Sequence, residues 1–171
     1  MKVAMGFLGA AALAFAGTAQ AAGPTDPEIA HIAYTAGNID IAAAKQALAK
    51  SHNATVRAFA SEMVRDHQAV NDKALALLKE LKVTPQDNAT SDSLSKQADA
   101  TLKSFAKLNE HDFDHAYLNN EVAYHGTVNS ALKTTLIPSA TNAQLKSLLE
   151  TGLALFTEHQ KHAEHLAATL K

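Results

Sequence analysis

Along four long stretches of this chain apolar residues recur at alternating steps of three and four, the pattern of helices that each bury one face against neighbours. The second stretch carries it without a break, through Val56, Ala60, Met63, His67, Val70, Ala74, Leu77 and Leu81. The first row is Ile29, Ala33, Ala36, Asp40, Ala43 and Ala47, with Ile32 and Ile39 permitting a slightly rotated face. The third is Tyr117, Glu121, His125, Val128 and Leu132, and the last is Leu145, Leu148, Gly152, Leu155, His159, His162 and Leu166.

Capping residues and prolines set the limits of these helices. The first is expected from Thr25 or Asp26, with Pro27 early in it, to about Lys50. Asn53 caps the second, which Thr84-Pro85 ends. After the polar stretch QDNATSDS comes a shorter helix, from about Ser93 to Leu108. Asp112 opens the third long helix, which Pro138-Ser139 breaks near Ile137, and Thr141 or Asn142 caps the last. The pattern predicts an all-α fold, an up-down-up-down four-helix bundle with a short extra helix in the long crossover over residues 84–111.

Polar residues interrupt the apolar rows at matching heights. Measured from the short turns near 52 and 139, taken to share one end of the bundle, Asp40, His67 and His125 fall within roughly 5 Å of one level. Glu121 and His159 come slightly above them, and His162 one turn further. A lone histidine in an apolar row is ordinarily a satisfied core residue. Six such groups converging from four helices are costly to bury, at about 1–3 kcal/mol for each one left unpaired. A metal ion would remove that cost, and so would mutual hydrogen bonding among the Asp, Glu and His side chains. Asp66 points about 100° from His67 and is either a boundary carboxylate or a support for a ligand histidine. His165 and His31 lie off the rows and His52 lies in a turn.

Composition narrows the reading. The start, MKVAMGFLGAAALAFAGTAQA, has one basic residue, a short apolar run and Ala-Gln-Ala at 19–21, which reads as a signal peptide over 1–21 and leaves a single domain over 22–171. The expected location is therefore the periplasm, with peripheral attachment to the outer membrane left open. No other segment is apolar enough to span a bilayer. There is no cysteine, so disulfides and a lipid-modified cysteine are excluded. Without Lys2 the basic count drops from 15 to 14 against 17 acidic residues, a net charge of −3 with neutral histidines, and no basic patch suggests nucleic acid. The sequence leaves open a homodimer and names no protein partner.

The segments FASEMVRDHQAVN (59–71) and FDHAYLNNEVAYH (113–125), with the His-rich last helix, resemble the exported bacterial family known as domain of unknown function 4142. The resemblance runs from about Tyr34 to Leu166 and implies a ferritin-like bundle. It places Met63, Asp66, His67, Phe113, Asp114, Tyr117, His125 and His159 on the family's motif. The chain departs from that motif at Asp40, where relatives tend to have Glu, and at Leu155-Phe156, where they often carry proline.

A carboxylate-bridged di-iron centre wants Glu-x-x-His on two helices. Glu121 is the only glutamate in a core row, and His125 follows it by four residues, so iron chemistry is disfavoured. The imidazole-rich set suits zinc or copper, with iron a poorer fit. The candidate ligands are His67, His125 and His159, joined by Glu121, Asp40 and His162; Asp66, Met63, Tyr117 and Asp114 are candidate supporting residues. The alternative is a non-catalytic structural or interaction protein of the bacterial envelope, with a self-satisfied polar cluster and no metal. Nucleophilic catalysis is disfavoured, because there is no cysteine and no glycine-flanked serine elbow.

Overall fold

The computed structural model describes residues 23–170, and the leader read at residues 1–21 lies outside them. Five helices form: α1 Asp26–Lys50, α2 Ala54–Leu81, α3 Ala89–Ala106, α4 Glu110–Ala131 and α5 Ala143–Thr169. No strand forms among the described residues, and no helix among them is long and apolar enough to cross a membrane.

Asparagine starts four of the five. The Asn53 side chain accepts from the backbone N–H groups of Thr55 and Val56, and Asn142 accepts from Gln144 and Leu145 in the same way. Asn88 and Asn109 begin α3 and α4 likewise, each a few residues before the start expected from the sequence, because the cap lies inside a stretch that reads as polar loop. Thr25 and Glu28 close a capping box on α1. Pro138 has no N–H to continue the ladder of α4, and the turns before it widen into a π-helical segment, Leu132–Leu136, ahead of a last turn at Ile137–Ser139.

The four-helix bundle and the short helix in its crossover are as the pattern predicts, but the helix directions differ. Gln86 N donates to Pro27 O (3.1 Å) and Gln46 Nε2 to Leu102 O (3.1 Å), so α3 runs parallel to α1. His52 N donates to Glu110 Oε1 (2.8 Å), Tyr124 Oη to Ala36 O (2.9 Å) and Thr141 N to Asp26 Oδ1 (2.8 Å), so α4 runs antiparallel to α1. The order is up, down, down, up. The reason is length: the 18 residues of α3 climb about 27 Å and return the chain to the end where α2 began. One long crossover of this kind is the connectivity of ferritin-like bundles.

Two apolar clusters form within the bundle, one toward each end. The upper one, at the end of the turn at 51–53, contains Val56, Phe59, Met63, Phe113, Tyr117, Leu118 and Leu166. The lower one contains Ile29, Ile32, Leu132, Leu136, Leu149 and Phe156. Phe59 is fully buried and packs edge-on against Tyr117 at 6.2 Å. Phe59→Ala is expected to destabilise the fold by about 3–5 kcal/mol, read as a lower urea midpoint with an unchanged slope.

Candidate metal centre

Between the two cores lies a buried layer of polar side chains. Asp40 comes from α1, His67 from α2, Glu121 and His125 from α4, and His159 from α5; none is more than 3 % exposed. Asp40 Oδ2, His67 Nε2 and His125 Nε2 form a nearly equilateral triangle, with edges of 3.4, 3.4 and 3.5 Å. One ligand atom from each of His67, His125 and His159 also fits within a mutual 4.8 Å.

The hydrogen bonds around the layer decide which ring nitrogens have free lone pairs. His125 Nδ1 lies 3.0 Å from the Glu121 carbonyl, to which it donates, so Nε2 holds the lone pair that faces His67 and Asp40. His159 Nε2 donates to Asp66 Oδ2 at 3.1 Å, which leaves its buried Nδ1 unpartnered. Asp66 is itself gripped by the Arg65 guanidinium at 2.7 and 3.0 Å. His67 stacks on Phe156, with ring centroids 4.6 Å apart and planes 12° from parallel.

The layer does not satisfy itself. Both oxygens of Asp40 and of Glu121 lack a conventional donor, and so do the Nδ1 atoms of His67 and His159. The two carboxyl groups lie close enough for each to affect the other's proton affinity. Burial pushes the Asp40 carboxyl up to about 7, and burial with the neighbouring Asp40 charge drives Glu121 well above the usual carboxylate range. Burial pushes His125 down to about 4 and lowers His67 and His159, so all three imidazoles are neutral at pH 7. Neutral imidazole is the form that ligates a metal.

The family described as Domain of unknown function (DUF4142) matches residues 10–166 of the chain. The chain belongs to this family. Among curated proteins and among solved structures, nothing matches it. In this DUF4142 chain the buried His, Asp and Glu groupings lie close enough together that they could hold a metal, and the histidine-bearing segments 59–71 and 113–125, on α2 and α4, meet in them.

His162 does not join them. It is half exposed and its Nδ1 pairs with Glu62 Oε2 at 2.9 Å, because the buried row of α5 is Leu145, Leu149, Gly152, Phe156, His159, Ala163 and Leu166. Steps of three and four allow either row through Leu145, Gly152 and His159, and the large Phe156 and the small Ala163 are the ones turned inward. Asp66 is the carboxylate that holds His159. Met63 packs in the upper core. Tyr117 is buried with an unpartnered hydroxyl, raised by burial and then by the Glu121 and Asp40 charges. Asp114 is buried but belongs to none of the three clusters.

Sequence reasoning missed Arg65, Glu62 and Phe156, which read as surface or generic core residues. It also missed two buried asparagines: Asn71 donates to Asn38 Oδ1 at 3.1 Å, and Asn129 donates to Phe156 O at 3.2 Å. Glu62, Asp66 and His159 form a third cluster, which shares His159 with the buried trio. An asparagine beside an apolar row, one turn from a row histidine, is the signal that was available in both cases.

The pKa shifts set the pH response of the metal-free protein. The raised acids, Asp40 and Glu121, favour folding at low pH, and that contribution is lost as pH rises from 3.8 and 4.5 through their folded values, about 7 for Asp40 and higher for Glu121. The lowered histidines favour folding above 6.5, and their contribution is lost as pH falls below that value. Stability of chelator-treated protein is therefore expected to rise as pH falls from 8 to about 6.5 and then to level and decline. In Asp40→Asn the rise over the upper window is expected to shrink, as measured by urea unfolding at each pH.

Proposed function

We propose that this protein is an exported helical bundle that holds one transition-metal ion, zinc by the size of the site, for metal handling or stress protection in the bacterial envelope. The observation that carries this reading is the triangle of Asp40 Oδ2, His67 Nε2 and His125 Nε2. A tetrahedral ion bound at about 2.1 Å keeps its ligand atoms about 3.4 Å apart, the measured edge. An octahedral face with that edge needs bonds of about 2.4 Å, too long for zinc or copper to nitrogen. His159, which clusters with His67 and His125 and has an unpartnered Nδ1, is the candidate for the fourth position.

Several other features support the reading. The candidate ligands are held by neighbouring groups: the Glu121 carbonyl fixes the His125 tautomer, and Arg65 with Asp66 fixes His159. The orphaned atoms of the layer speak against a self-satisfied cluster. A carboxylate-bridged di-iron site fits poorly, since one glutamate is present and His125 Nδ1 is turned to backbone. The apolar, leader-like start of the chain supports export. With four protein ligands the site would be closed, as in structural or storage sites, and binding is favoured over catalysis.

Protein purified from its export compartment without a histidine tag is expected to carry about one zinc per chain by elemental mass spectrometry. Chelation should lower its Tm, and zinc at about 100-fold above Kd should add back about 2.7 kcal/mol. His67→Ala and His125→Ala should abolish stoichiometric metal, His162→Ala should leave it intact, and Asp66→Asn should weaken affinity about 10–100-fold. Metal-free protein whose Tm ignores both chelator and zinc would sink the proposal and favour a structural envelope protein.

A further inference from the structure

The lower half of the bundle is hollow. A cavity of about 590 Å³ begins at His67 and His125 and extends down to Leu78 and Leu136, three helical turns or about 16 Å away. Small side chains at Ala33, Ala36, Ala74 and Ala131 contribute to its walls. Its lining reaches exposed residues at Ala89 and Thr90, at the start of α3. Close-packed interiors carry few voids larger than a water molecule. A void of about 150 Å³ already takes up benzene, and small-molecule sites run to about 300–1,000 Å³.

The lining defines what fits. It is overwhelmingly apolar, no lysine or arginine contributes to it, and Glu28 is its one carboxylate. An anionic headgroup would find no cation there. Two polar side chains at the inner end are already engaged, Tyr124 Oη with Ala36 O at 2.9 Å and Asn71 Nδ2 with Asn38 Oδ1 at 3.1 Å. His67 also lines that end, and its buried Nδ1 has no partner. A ligand oxygen would supply one.

We propose that this cavity binds a neutral, elongated, largely hydrocarbon molecule with one oxygen function, an alcohol or ketone, at its inner end beside His67. The cavity is walled by residues of all five helices, so the proposal does not require a bound metal and is testable on metal-free and metal-loaded protein alike.

The test titrates the whole purified protein with the neutral fluorophore N-phenyl-1-naphthylamine and then with decan-1-ol or decanoate as competitor. Saturable binding of one fluorophore per chain is expected, with displacement by decan-1-ol and at least tenfold weaker displacement by decanoate. Ala33→Phe on α1 and Ala74→Phe on the adjoining α2 should each lower fluorophore affinity at least tenfold while circular dichroism shows the helices retained. Decan-1-ol should also raise the Tm of the wild-type protein in a saturable way, a reading that needs no variant. No saturable Tm rise, binding that survives both phenylalanine variants in folded form, or equal competition by decanoate would each overturn the proposal.

Discussion

Asp40 sits in the buried polar layer midway along the bundle, with its carboxylate oxygen 3.4 Å from His67 Nε2 and 3.5 Å from His125 Nε2 and its side chain shielded from water. A charge in such a place is tolerated only if protein groups, a proton or a cation meet it. The structure around it is arranged to that end. Glu121 lies beside it with its carboxyl held toward the neutral form, two neutral imidazoles turn nitrogen toward it, and the surrounding helices bury it. The depressed imidazoles and elevated carboxyls all have burial as their largest cause, so the site's electrostatics are a property of the bundle's middle.

The rigidity of the layer comes from its supports. His125 is held by a backbone carbonyl of its own helix, His159 by a carboxylate that an arginine holds in turn, and His67 by the ring of Phe156. Each of the three imidazoles is therefore fixed by a residue from outside the buried trio, which holds its orientation where a freely rotating histidine would seek its own hydrogen bond. The same layer roofs the lower cavity, because His67 and His125 face both. Polar centre and apolar chamber are thus adjacent in one bundle, separated by two imidazole rings.

The sequence alone determined the helices, the caps at Thr25, Asn53 and Asn142, and the level of the site, while the caps Asn88 and Asn109 escaped it. A wrong chain direction did little harm there. The site sits near the middle of helices 22 to 28 residues long, so counting height from the wrong end returns almost the same level. His67, His125, His159, Asp40 and Glu121 were legible because each interrupts an apolar row, and Asp66 because it adjoins His67 in sequence.

Only the tertiary structure decided the helix order, the fate of His162 and the existence of the cavity. The order depends on α3 climbing the full bundle, which a polar crossover sequence does not reveal. His162 and Ala163 are both consistent with a 3.6-residue period, and the choice between them is made by whether a neighbouring helix accepts Phe156 or Leu155. A void is set by how far four helices stand apart, and periodicity marks which residues face inward without saying whether they meet.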